Sequence, residues 1–240
     1  MAKPDLKLAA AGLGSVVAAL RAGAGEEAPC ISCGELGTWD GRPCPDCREK
    51  TAASVLAERR WADWRGSLEA IGVPVAYRSV PITLRLPREL QGWTGDPWAV
   101  TLLGPTGTGK TWAAIRLLGG AYCSGRDGAL FADASVALEA MRQEIDAKGD
   151  SGKALRRLMF APLLLLDDLT GTRDTEYARD RFVLLLRERY NRQLPTIITS
   201  NKPSLAALAE ERLDAAVGSR LALGVVKTLT GRDRRLPEAR

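Results

Sequence analysis

One eight-residue stretch fixes most of what this chain can become. Gly104-Pro105-Thr106-Gly107-Thr108-Gly109-Lys110-Thr111 fits the pattern G-x-x-x-x-G-K-[ST] at every fixed position. Glycines at 104, 107 and 109 let the backbone turn where side chains would clash, so successive N–H groups can point at one phosphate from the start of a helix. Lys110 can then reach the β and γ oxygens of a nucleoside triphosphate, and Thr111 can place its hydroxyl on a bridging Mg²⁺. All eight residues, Pro105, Thr106 and Thr108 included, are candidate nucleotide contacts.

That chemistry needs a strand before the loop and a helix after it. Trp98 to Leu103 is a short apolar run suited to a buried strand, and Trp112 to Leu118 reads as helix. The alternation continues. Gly128 to Ala132 predicts a strand, followed by a helix through Val136, Leu138, Met141 and Ile145 that Asp133 or Ser135 can cap. Lys148 to Gly152 breaks it before a second short helix carrying Leu155, Leu158 and Met159. The order predicts an α/β fold, a parallel sheet flanked by helices on both faces.

Leu163-Leu164-Leu165-Leu166-Asp167-Asp168 lies about 55 residues beyond Lys110 and ends a buried strand in two acids. Asp167 is placed to hold Mg²⁺ and Asp168 to orient and polarise an attacking water; the plainer reading is a strand end with solvated acids. Ala178 to Gln193 follows as an amphipathic helix, then a β-branched strand, Leu194 to Thr199, ending at Ser200-Asn201. Asn201 is the candidate sensor of the γ-phosphate, with a simple Asn-Lys-Pro turn as the alternative. Arg220 precedes a last strand, Val225 to Leu229, and is a candidate arginine finger donated to a neighbouring subunit. A surface salt bridge would be the ordinary use of such a residue.

The chain has no histidine, which removes the commonest general base and the commonest metal ligand together. Four of its cysteines form two C-x₂-C pairs, Cys30/Cys33 and Cys44/Cys47, a spacing that reads as a structural Cys₄ Zn²⁺ site. Disulfides and a redox pair are the competing readings. Pro43 and Pro45 favour tight turns around the second pair, and Gly37 to Arg42 reads as a short hairpin. Cys123 reads as core. Thr51 to Ile71 carries Leu56, Trp61, Trp64, Leu68 and Ile71 at helical spacing, a connector helix or a partner-binding one. Gly72 to Pro97, with four prolines, reads as an irregular lead-in around the nucleotide site. The expected organisation is a zinc-binding module over 1–50, a linker helix over 51–72 and an ATPase domain over 73–240.

A net charge of +5 is compatible with nucleic acid without requiring it. Arg142, Lys148, Lys153, Arg156 and Arg157 form a candidate electrostatic track, or a solvated helix face. Without an apolar run long enough to cross a bilayer or a signal-peptide pattern at its start, the chain reads as cytoplasmic, with no membrane partner.

Taken in order, the phosphate loop, Leu165-Leu166-Asp167-Asp168-Leu169, Pro195 to Asn201, Gly218-Ser219-Arg220-Leu221 and Gly231-Arg232-Asp233-Arg234-Arg235 resemble the DnaC/DnaI/IstB group of AAA+ ATPases. With a metal-binding module ahead of the motor, the chain is most similar to a DnaI-type loader. The resemblance implies a P-loop ATPase without a C-terminal lid, working with ATP and Mg²⁺. It implies ATP-dependent placement of a hexameric replicative helicase on single-stranded DNA in replication initiation, with ATP-dependent self-assembly. Arg235 is then a candidate second sensor. Two alternatives stay open: an IstB-type transposition helper, and a zinc-dependent adaptor in which ATP is only a conformational latch.

Overall fold

A computed structural model describes residues 28–29, 36–37, 45–81, 84–146, 152–171 and 175–233. The chain divides into two compact units, Met1–Arg59 and Arg60–Arg240.

In the first unit, β1 (Ala28–Pro29) pairs antiparallel with β2 (Leu36–Gly37). Of the expected hairpin over 37–42 only Gly37 is described, and it pairs with Ala28; residues 38–42 lie outside the described residues. Helix α1 (Pro45–Ile71) begins six residues before the expected Thr51. Pro45 opens it rather than making a tight turn, because a proline at the first helical position loses no hydrogen bond and arrives with its φ already helical. Cys47 thus sits in a first helical turn.

The second unit is built on five parallel strands: β3 (Ala99–Leu103), β4 (Ala129–Asp133), β5 (Leu163–Asp167), β6 (Thr196–Thr199) and β7 (Val225–Thr228), in spatial order β4-β5-β6-β3-β7. The three central strands are buried along their whole length, as expected of strands covered on both faces. Alternation along β5 then sorts the leucines. Leu163 and Leu165 enter a core with Val100, Leu102 and Ile197 on one face; Leu164 and Leu166 enter a second core with Leu103 and Ile198 on the other.

The first core is closed by α2 (Lys110–Cys123) and by the end of α1, where Trp64, Leu68 and Ile71 are buried while Leu56 is exposed. Each of these large side chains contributes about 1.5–3 kcal/mol of burial. Trp64 fits because residue 119 is glycine: a Cβ there would lie 2.7 Å from the indole Nε1. The second core is closed by α3 (Ala134–Asp146), α4 (Lys153–Phe160), α5 (Glu176–Asn191), α6 (Leu205–Arg212) and α7 (Ala215–Ala222). Of the two candidates, it is Asp133 that caps α3, its Oδ1 accepting from the N–H groups of Ser135 and Val136 at 2.9 and 3.0 Å. Within this core Arg189 is fully buried. Its guanidinium donates to the Thr196 hydroxyl and to the carbonyls of Leu158, Met159, Ala161 and Pro195, tying the end of α4 to the start of β6. Burial alone pulls it down to about 9.

Among the described residues, no helix is long and apolar enough to cross a membrane.

Candidate functional site

The site forms where β3, β5 and β6 end side by side. β3 runs straight into the phosphate loop, and Gly107 and Gly109 hold φ of 76° and 92°, a left-handed backbone that glycine adopts without a Cβ penalty. Lys110 opens α2 and is buried. Its Nζ donates to the carbonyls of Gly104 at 2.8 Å and Pro105 at 2.7 Å, so the ammonium is held over the loop. The Thr108 hydroxyl closes the same turn on the Pro105 carbonyl at 2.9 Å.

Thr111 and Asp167 meet as the sequence predicts. The Thr111 hydroxyl donates to both carboxylate oxygens, at 3.0 and 3.2 Å. A hydroxyl beside a carboxylate at the end of a phosphate loop is the hard-oxygen donor set that suits Mg²⁺, so these residues fit the ion that the sequence implies. Burial raises the Asp167 carboxyl above its ordinary range; the hydroxyls of Thr199 and Thr111 pull it back down, and the charges of Asp168 and Asp133 add to the rise. A cation bound here would reverse that balance.

Between β3 and β5 lies β6, paired with both, and its tip supplies the groups that connect the acids. The Thr199 hydroxyl donates to Asp167 Oδ1 at 2.6 Å and accepts the Asp168 N–H at 2.8 Å. Asn201 Nδ2 donates to Asp168 Oδ1 at 3.0 Å, which puts the candidate γ-phosphate sensor beside the second acid. The Thr170 hydroxyl donates to the same Oδ1 at 2.9 Å and accepts the Asn201 N–H at 3.0 Å. Asp168 itself sits at φ 51°, a left-handed conformation that an Asp tolerates better than most residues and that four hydrogen bonds to it, from its own N–H to Thr199 and from Thr170, Asn201 and the Gly171 N–H, hold in place. Thr199 and Thr170 were not among the residues expected from sequence, and Asp133, expected only as a helix cap, also lines the site. The available signal was a hydroxyl at the tip of a β-branched strand and another two positions after the second acid.

These groups line a cavity of about 590 Å³ that the irregular lead-in borders with Pro74, Tyr77, Pro81 and Leu84. Tyr77 meets Trp112 edge-on, ring centres 6.0 Å apart, and both rings add apolar surface to the cavity's lining. Arg220 is not part of it. Its guanidinium lies over the Tyr190 ring at 5.3 Å, and its carbonyl accepts from Trp98 Nε1.

Cys30, Cys33 and Cys44 lie outside the described residues, as does Arg235. Among the described residues no group of three or more His, Cys, Asp or Glu side chains could hold a metal ion. Cys123 is half-buried, and burial pushes its thiol up to about 11, which suits packing rather than ligation.

With this geometry in hand, comparison with known proteins is direct. A family model described as IstB-like ATP binding protein matches residues 86–222. The chain belongs to the IstB-like ATP-binding family. One curated relative of this IstB-like chain is an insertion sequence IS21-like ATP-binding protein of Bacteroides fragilis, 32% identical over 143 residues, which are 58% of the chain and 52% of the relative. The chain therefore spans about half the length of that relative. Among solved structures, the DnaC helicase loader matches with a TM-score of 0.56 at 24% identity, over 65% of this chain and 100% of that one. The replication initiator DnaA bound to AMPPCP and single-stranded DNA matches with a TM-score of 0.50 at 21% identity, over 60% of this chain and 43% of that one. At such identities the two structures establish the fold of the IstB-like core, a parallel five-stranded AAA+ P-loop sheet flanked by helices.

Proposed function

We propose that this IstB-like chain hydrolyses ATP as a switch that places a hexameric replicative helicase on single-stranded DNA. The observation that carries the hydrolytic part is the hydrogen-bonded path from Thr111 through Asp167 and Thr199 to Asp168 and Asn201. It sets a metal-binding pair next to an acid able to polarise water, with a strand-tip amide reading that acid, at the mouth of a phosphate loop. Bound Mg²⁺ would neutralise charge on the β and γ oxygens. Lys110 holds those oxygens, Thr111 and Asp167 hold the ion, and Asp168 takes the proton of the attacking water while Asn201 fixes its carboxylate. Arg220 completes a neighbouring subunit's site, which makes turnover depend on self-assembly.

The paired cysteines support the loader reading. Residues 1–50 serve as a zinc-stabilised partner-binding module, 51–72 as the linker, and 73–240 as the motor. A second reading, a transposition helper acting on duplex DNA, is favoured by the Bacteroides relative. One set of measurements separates them. ATP turnover is followed with single-stranded and with duplex DNA, and the full chain and its Cys33→Ser variant are tested for capture of the host's replicative helicase. Zinc-dependent capture and single-strand stimulation are expected. Duplex stimulation with no helicase capture would replace the loader by the transposition helper, and absence of turnover with either DNA would leave the nucleotide as a latch.

A further inference from the structure

The backbone beyond β7 passes over the phosphate loop. The Leu229 N–H donates to the Leu103 carbonyl at 2.8 Å, extending the parallel pairing of Thr228 with Leu103. Its own carbonyl lies on Gly104, so close that a Cβ there would overlap it. Gly231, at φ 128°, turns the chain, and Asp233 then lies on Gly107, where a Cβ would overlap its carboxylate. Gly107 lines the nucleotide cavity and Asp233 is half-buried. Two glycines of the loop are thus required twice, once for their backbone angles and once to admit this strap.

An acid in this position works against the loop. Backbone N–H groups and Lys110 gather positive potential around Gly107 to Thr111, which is what attracts a polyanionic triphosphate. A carboxylate on Gly107, a residue that lines the nucleotide cavity, offsets part of that potential. We propose that Asp233 is an affinity-setting residue of the nucleotide site, whose carboxylate competes with the triphosphate for the phosphate loop and speeds nucleotide release. This rests on the nucleotide-binding reading above. In a site that must reset between rounds, such a counter-charge prevents the nucleotide from being held too long.

The test uses the full chain and a fluorescent ATP analogue, measuring Kd and dissociation rate for the parent, Asp233→Asn, Asp233→Glu and Lys110→Ala. Asp233→Asn keeps the volume and removes the charge. It should bind about three- to ten-fold more tightly, chiefly through slower release, with the gain shrinking at about 0.5 M salt. Asp233→Glu should stay near the parent. Equal or weaker binding by Asp233→Asn overturns the proposal, as does identical behaviour of the Asn and Glu variants. A strongly lowered melting temperature with loss of binding in Asp233→Asn also overturns it, making Asp233 a structural strap. If instead the parent binds no nucleotide, or Lys110→Ala binds as well as the parent, the reading of the whole site fails rather than that of Asp233.

Discussion

The Thr199 hydroxyl donates to Asp167 at 2.6 Å while it accepts the backbone N–H of Asp168, so one oxygen fixes the spacing of two adjacent acids that face different tasks. Removing it by Thr199→Val takes from Asp167 one of its two hydroxyl donors, leaving Thr111, and takes from the Asp168 N–H its acceptor. Turnover is expected to fall about 10- to 100-fold, with nucleotide Kd changed far less. Thr199→Ser should restore most of the rate. A matching loss in the Ser and Val variants would mean that the methyl packing, not the hydroxyl, matters.

Asn201 and Asp168 share a hydrogen bond of 3.0 Å, so their contributions should not add. In a double-mutant cycle on kcat with Asn201→Ala and Asp168→Asn, a coupling of about 0.5–3 kcal/mol is expected. Strict additivity would make Asn201 a turn residue.

Asp167 gives a stability test with a definite sign. Its carboxyl is raised in the fold, chiefly by burial, so the folded chain binds that proton more tightly than the unfolded chain does. The associated stability is present below the unfolded value and is lost as pH rises through the folded one. Asp167→Asn, which never ionises, should therefore melt a few degrees above the parent at about pH 8 without Mg²⁺ or nucleotide, and the gap should close towards about pH 4. A gap that widens on acidification would reverse the assignment.

Arg189 offers a control that touches no nucleotide. Replacing it with Met would leave the carbonyls of Leu158 and Ala161 buried without the guanidinium that donates to them, while Pro195 keeps the Leu164 N–H, at a cost of about 2–4 kcal/mol in urea unfolding. Arg189→Lys should recover only part, since a single ammonium cannot span acceptors that a planar fork reaches together.

What the sequence made legible was whatever chemistry confines to a short stretch. The phosphate loop and its helix, the leucine strand ending at Asp167 and the position of Asn201 each follow from local spacing, and the structure brings them together. Thr199 and Thr170 were not legible, because their importance comes from β6 lying between β3 and β5, a neighbour relation that no local pattern encodes. Asp233 escaped for the same reason: its partner, Gly107, is brought to it by the register of β7. Pro45 was misjudged as a turn residue because the same fixed φ serves a turn and a first helical position equally well. The zinc cysteines stand as a reading of spacing alone.

β6 pairs on both sides, with Ile197 and Ile198 facing β3 and β5 in register and every residue of the strand buried. A strand bonded along both edges cannot slide without breaking two ladders at once, so the distance between loop and acids is set as by a fixed ruler. A change in the shape of the cavity is therefore expected at its borders, such as the proline-bearing segment carrying Tyr77, rather than in the sheet. Substitutions that tune the speed of this switch should accumulate on those borders, leaving the floor of the site silent to everything except the chemical step.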